Sequence, residues 1–149
     1  KVIVLYCIVL YGWMDGWLFL SNLKSFFLVQ GCAPIGIANS VVIPDSSFSS
    51  STYYDNRYIS HNARLNTTLY GWGPNVEDKA SCWLQVDLLA MYTLCAIATQ
   101  GCSGNTEWAT RYNVKFSKDG SSWSFYSENG KTKVSNSMKA YLYWWNQYI

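Results

Sequence analysis

A single histidine, His61, five cysteines and nine carboxylates are the groups from which a catalytic or metal centre would have to be built. Their spacing builds neither. A nucleophile needs a base and a third group to orient that base, and His61 has no GxSxG-type serine to serve. No phosphate-cradling P-loop, no GxGxxG and no HExxH metalloprotease signature occurs. Asp78, Asp87 and Glu107 are carboxylates without the cleft that a paired acid and base require. None of Cys7, Cys32, Cys82, Cys95 and Cys102 stands in a CxxC pair, and His61 has no ligand-like neighbours, so a zinc site is not expected. The catalytic and metal inventories are therefore empty, and the chain reads as a non-enzyme.

The rest of the composition points to recognition. Aromatic residues make up 17% of the 149 positions, and such side chains supply sheet cores and binding tips. Charged residues amount to only 13%, and eleven Lys and Arg against nine Asp and Glu leave a net charge of +2. That balance cannot make the broad basic field of a nucleic-acid binder. Half the residues are hydrophobic, enough for a packed core within one domain. The sequon Asn66-Thr67-Thr68 offers a glycosylation site at Asn66 if the chain enters the secretory pathway. An odd cysteine count leaves at least one thiol without an intrachain partner; buried free cysteines acting as small hydrophobes are the other reading.

The elements that would position binding residues are short strands. In Trp83-Leu84-Gln85-Val86-Asp87-Leu88, the period-two alternation sends Leu84, Val86 and Leu88 to one face. Leu94 to Gln100 is a second apolar run. Arg111 to Phe116 alternates again, with Tyr112, Val114 and Phe116 inward. Lys118-Asp119-Gly120-Ser121 has turn chemistry, and Trp123 to Tyr126 reads as the returning strand of a hairpin. No long amphipathic helical pattern intervenes, so a β-sandwich or barrel is expected.

Residues 1–30 differ in texture. Val2 to Tyr11 has the length of a signal-peptide hydrophobic region, flanked by Lys1. Asp15 and two glycines interrupt the stretch, which makes it a poor membrane-spanning helix. Signal peptide or signal anchor, tethering helix, and sequence translated in error are the three readings. The expected organisation is a hydrophobic N-terminal segment over 1–30 and a domain over 31–149, the chain being incomplete at both ends.

The blocks after residue 31 resemble the discoidin family, also called the coagulation factor five/eight C-type domain. They run Cys32-x-x-x-Gly36-Ile37, Ile43-Pro44-Asp45, Phe48-Ser49-Ser50-Ser51, Ala63-Arg64-Leu65-Asn66 and Gly71-Trp72-Gly73-Pro74. They continue through Trp83 to Leu88, Ile97 to Gly101, Trp108 to Tyr112, Phe116 to Gly120 and Trp123, in the family's order, over 32 to about 134. The resemblance implies an all-β, antiparallel, eight-stranded jelly-roll sandwich of the galactose-binding-like kind. It implies an extracellular adhesion module that binds anionic phospholipid, carbohydrate, collagen or basic peptide tails. Some relatives carry calcium, which stays an open alternative although no oxygen-ligand loop of recognisable spacing is present; no other cofactor is expected. The family also implies a final Cys paired with the first, yet no Cys follows Cys102, so Cys32 lacks that partner and C-terminal strands are expected to be missing or altered.

Three loops at one end of the sandwich carry recognition in this family. The first maps to Ser51–Asn62, with Tyr53, Tyr54, Arg57 and Tyr58 as contact residues; two of the tyrosines could equally pack the loop's base. The second maps to Gly71–Ser81. Trp72 and Asp78 stand out there, because an acidic residue in the similar neuropilin version of the fold receives a basic peptide terminus; a solvated acidic turn is the plainer reading. The third maps to Gly101–Glu107, where Ser103, Asn105 and Thr106 offer neutral hydrogen-bonding groups suited to sugar hydroxyls or a peptide carboxylate; an ordinary polar turn is the plainer reading. A disulfide between Cys82 and Cys102 would tether it. Trp72, Trp83, Trp108 and Trp123 are otherwise read as core, and Arg64 with Asp87 as a buried ion pair. The expected partner is a cell-surface glycan or extracellular protein. The alternatives are anionic phospholipid bound by the same loops, and a truncated chain with no independent function.

Overall fold

The computed structural model describes residues 2–8, 34–65, 67, 70–78, 81–92, 94, 96–102, 108–109, 111–136 and 146–148. Ten β-strands occur among them: β1 (Val2–Ile8), β2 (Phe48–Ser50), β3 (Trp83–Asp87), β4 (Ala96–Ala98), β5 (Arg111–Ser117), β6 (Ser124–Phe125), β7 (Ser127–Glu128), β8 (Lys131–Thr132), β9 (Val134–Asn136) and β10 (Asn146–Tyr148). The only helical turns among the described residues are three short 3-10 segments, at Asp45–Ser47, Ser60–Ala63 and Val76–Asp78. The chain is therefore all-β, as its alternation predicts.

The alternation translates directly into burial. Leu84, Val86 and Leu88 are buried along β3, and Tyr112 and Val114 along β5, while their odd-numbered neighbours stay half-exposed or exposed. Ile43 and Phe48 join Val86, Leu88, Tyr112 and Val114 in one core, with Ile35, Ile37, Leu94, Ile97, Phe116 and Tyr126 packed around it. Each fully buried aliphatic side chain contributes about 1.5–3 kcal/mol relative to exposure. The hairpin also forms where expected. Lys115 pairs with Phe125 and Phe116 with Ser124. The turn between them is held by Asp119 Oδ1, which accepts from the amides of Ser121 and Ser122 at 2.8 Å each. Gly120 supplies the left-handed backbone at φ 79°.

The main sheet runs β2-β3-β1-β5-β6, with β9 also pairing the start of β5. β1 is antiparallel to both neighbours, from Val2↔Asp87 to Tyr6↔Trp83 on one side and from Val2↔Ser117 to Ile8↔Arg111 on the other. The sequence reading sets residues 1–30 apart from the domain; the structure seats their first strand in the middle of its sheet. The reason is that backbone pairing is blind to sequence distance, and an apolar run without proline can pair along its whole length. The boundary drawn at 30/31 itself lies outside the described residues. At the other end of the chain, β10 pairs antiparallel with β4, Gln147 opposite Ile97, so part of the aromatic tail joins a second, two-stranded sheet. β7 and β8 form a third.

One expected ion pair is different. Arg64 is buried, but its partner is Asp45, with Nη2 2.6 Å from Oδ1. Asp87 instead caps its own strand end, accepting from the Leu89 amide at 2.9 Å. Asp45 lies in the 3-10 turn leading into β2, and Arg64 also donates to the Ile37 carbonyl at 2.6 Å. One guanidinium thus joins three stretches of chain that the sequence separates.

Candidate functional site

The first and second loops are stitched together by backbone and hydroxyl groups before any ligand arrives. The Tyr54 amide donates to the Gly73 carbonyl at 2.9 Å, and the Gly73 amide donates to the Tyr58 carbonyl at 3.3 Å. A Cβ at Gly73 would stand 3.2 Å from Tyr58 Cδ1, so any larger residue there would require the ring to give by a few tenths of an ångström. Trp72 Nε1 donates to the Thr52 carbonyl at 3.0 Å, which fixes the indole against the first loop. The Ser51 hydroxyl receives the Trp83 amide at 3.2 Å, tying that loop to the start of β3.

On this frame an aromatic cluster forms. Tyr54 meets Tyr58 edge to face, with ring centroids 5.8 Å apart, and Tyr58 packs tilted on Tyr70 at 5.1 Å. The Arg57 guanidinium lies 5.7 Å from the Tyr58 centroid and 5.3 Å from that of Tyr70. Its charge is already met: Nη2 donates to Asp55 Oδ2 at 2.7 Å, and Nε reaches both oxygens at 3.2 Å. The guanidinium's hydrogen bonds hold the Asp55 carboxyl below the ordinary range.

Beside the cluster opens a cavity of about 560 Å³, walled by Tyr54, Arg57, Tyr58, Trp72, Gln100 and Trp108. That volume falls within the roughly 300–1,000 Å³ of small-ligand sites. Tyr54, Tyr58, Trp72, Trp108 and Tyr112 contribute aromatic side chains to the lining, beside polar and aliphatic residues such as Arg64, Leu65, Thr67 and Gln100.

Of the residues singled out from sequence, Tyr54, Arg57, Tyr58 and Trp72 come together here. Tyr53 does not line the cavity; it is exposed on the loop. Asp78 does not line it either. Its Oδ1 accepts from the Ser81 hydroxyl at 2.7 Å and its Oδ2 from the Thr52 hydroxyl at 3.1 Å. Hydrogen bonds from the hydroxyls of Ser51, Ser81 and Thr52 hold its carboxyl below the ordinary range. In this structure Asp78 straps the two loops together. Ser103, Asn105, Thr106, Asn66 and Cys32 lie outside the described residues. Cys102 is a free thiol in the cavity wall, so the tether to Cys82 is not formed. Cys82 is fully buried at the start of β3.

Trp108 and Gln100 are among the wall residues that the sequence reading does not assign to the site. The sequence reading places Trp108 in the core, although its position directly after the third loop is the available signal. Gln100, at the end of β4's apolar run, carried none. Trp83 and Trp123 are half-buried rather than core. Among the described residues no group of three or more His, Cys, Asp or Glu is placed to hold a metal.

Comparison with known proteins agrees with this architecture. The profile of the F5/8 type C domain matches residues 46–143. Lactadherin of Mus musculus is 32% identical over 124 residues, covering 71% of this chain and 25% of that protein. Neuropilin-2 of Rattus norvegicus is 34% identical over 106 residues, covering 68% of this chain and 11% of the other. Human neuropilin-2 is 32% identical over 105 residues with the same coverage. The chain thus spans a quarter of mouse lactadherin, at 25%, and a far smaller part of neuropilin-2, at 11%.

Proposed function

The chain belongs to the F5/8 type C, or discoidin, domain family, and from that premise we propose that it is a non-catalytic extracellular recognition module whose cavity between the first and second loops takes a cell-surface glycan or a protein side chain. The observation that carries this reading is the aromatic wall. Tyr54, Tyr58, Trp72 and Trp108 line one cavity, and the two guanidiniums that line it with them, those of Arg57 and Arg64, are already paired with Asp55 and Asp45. Such a site rewards flat, weakly polar surfaces with edge hydroxyls or amides, the chemistry of a sugar ring or a peptide segment. It does not reward a dense anion, because both arginines that line it are already paired with carboxylates of the chain. The test is a glycan and matrix-protein array probed with the full chain and with Tyr54→Ala. Binding lost in the variant at unchanged melting temperature supports the assignment. Binding that survives Tyr54→Ala and Trp72→Ala alike sinks it.

A second reading has one observation in its favour. Tyr53, Tyr54 and Val76 are 49%, 58% and 56% exposed on the two loops, and exposed aromatic and aliphatic tips suit a membrane interface. On this reading the same loops dock on anionic phospholipid. Pelleting with liposomes that contain or lack phosphatidylserine separates the two: co-sedimentation that requires the anionic lipid and fails with Tyr53→Ala favours the membrane.

A further inference from the structure

We propose that the position between β3 and β5 is a strand-accepting site, and that the Val2–Ile8 strand of a second copy of this chain can fill it in place of the chain's own. The inference is independent of what the loop tip binds.

The topology carries it. β3 and β5 are each antiparallel to β1, so they run parallel to one another with one strand between them. Their backbones therefore stand about 9.6 Å apart, twice the strand spacing. They cannot close on each other by a small shift. Among the described residues, β1 is the element that joins the β2-β3 half of the main sheet to the β5-β6-β9 half. Removing it would leave five residues of β3 and seven of β5 facing an empty edge, which is a template for any extended chain.

What such a gap selects is set by its flanks. The register places Leu5 between Leu84 and Val114, and Ile3 between Val86 and Phe116. Leu84, Val86 and Val114 are buried core residues. The incoming strand must therefore be apolar at alternate positions and unbroken by proline, which cannot donate to a ladder. Val2–Ile8, VIVLYCI, carries no charge and no proline.

The same strand is available in trans. Residues 9–33 join β1 to the next described residue, and a connection of that length can reach up to roughly 80 Å when extended. Closure entropy rises only slowly with loop length, so a connection of this length spans the distance in cis or in trans at similar cost. The pairing and register in trans are those in cis. An exchange of identical elements is then set by concentration, the usual low-cost route to a dimer.

Two full-length variants test this. Val4→Pro spoils the donor strand and leaves the slot intact, because Val4 pairs on both sides, with Gln85 and Lys115. Lys115→Pro spoils the slot and leaves the donor. Each alone is expected to lose the cooperative melt of the wild-type chain. Refolded together with different tags, they should co-purify as a heterodimer that regains one cooperative transition. A synthetic peptide of residues 1–8 added to Val4→Pro should restore the melt as well. A Val4→Pro chain that melts like wild type overturns the proposal, and so does a variant that neither peptide nor second chain restores. Rescue by the peptide without rescue by the second chain overturns the second copy as occupant.

Discussion

Arg64, a residue of the cavity lining, pairs with Asp45, with Nη2 2.6 Å from Oδ1 and the guanidinium carbon 4.4 Å from the Phe48 ring centroid. The arginine side chain is 8% exposed and its partner 53%. The two ends of the pair are therefore unequal. Removing the arginine leaves a carboxylate that water can reach, but it strips the Ile37 carbonyl of its donor and Phe48 of its cover. Removing the carboxylate leaves a buried cation without its counter-charge.

From this we expect Arg64→Ala to destabilise the domain by about 2 kcal/mol, the scale of a lost buried charge-assisted hydrogen bond. Arg64→Lys should recover little of it, because an ammonium cannot serve Asp45 and Ile37 in the same fork. Urea unfolding followed by tryptophan fluorescence measures both. Equal stability of Arg64→Ala and wild type would refute the account.

Acid should unfold the domain in a defined window. Hydrogen bonds from Arg64 hold Asp45 below its ordinary value of 3.8. Backbone amides of Ser122 and Ser121 and the Ser117 hydroxyl hold Asp119 lower still, and Lys133 does the same for Glu128. A carboxyl depressed on folding stabilises the native state fully above its unfolded pKa, and that contribution disappears as pH falls through the folded one. The melting temperature is thus expected to be level from neutral pH to about pH 5 and to fall progressively below about pH 4. Asp119→Ala should start lower and show a shallower acid limb. A scan of melting temperature against pH gives the answer.

The Asp55–Arg57 pair sets which charge the mouth of the cavity presents. Both side chains are largely accessible, at 35% and 57%, so neither Asp55→Asn nor Arg57→Ala should shift the melting temperature much. Their effects on binding should diverge. Arg57→Ala removes the cation packed beside Tyr58 and Tyr70 and is expected to weaken ligand binding by no more than about fivefold, through loosened rings, the scale of one exposed cation–π contact of about 1 kcal/mol. Asp55→Asn frees the guanidinium and should raise retention on phosphatidylserine liposomes. Unchanged retention would mean that Arg57 does not face the ligand.

Gly73→Ala probes how tightly the loops are drawn together. The added Cβ would sit 3.2 Å from Tyr58 Cδ1, so the ring must tilt or the backbone bonds to Tyr54 and Tyr58 must lengthen. We expect faster amide exchange at Tyr54 and Gly73 and reduced ligand affinity, with the β3 and β5 amides unaffected. Hydrogen exchange read residue by residue distinguishes this from global loosening.

Asp78→Ala should act on the second loop rather than on charge recognition. It removes the acceptor for Ser81 and Thr52, so exchange around Asn75–Ser81 should quicken. Binding of a peptide ending in arginine should change no more than binding of a neutral glycan. A selective loss of the arginine peptide would instead restore Asp78 to the role of ligand carboxylate.

Much of this was written locally in the sequence. The faces of β3 and β5 follow from the alternation of Leu84, Val86 and Leu88 and of Tyr112 and Val114, because a strand turns successive side chains to opposite sides whatever surrounds it. The Asp119-Gly120 turn follows from the backbone freedom of glycine and the reach of a short carboxylate over the next amides. The ordered blocks from Ile43 to Trp123 name the family, and the run Tyr53 to Tyr58 marks a loop rich in contact chemistry.

Tertiary structure decided the partners. Arg64 chose Asp45 over Asp87, Asp78 became a strap between loops, and Trp108 moved from the expected core to a cavity wall. Val2–Ile8 entered the centre of a sheet whose other strands lie at least forty residues later in the chain. The alternation of a strand is set by neighbours two positions away. The partner of a charge or of a backbone edge is set by where distant chain arrives, and the hydrogen-bonding groups that make those contacts are nearly the same in every residue.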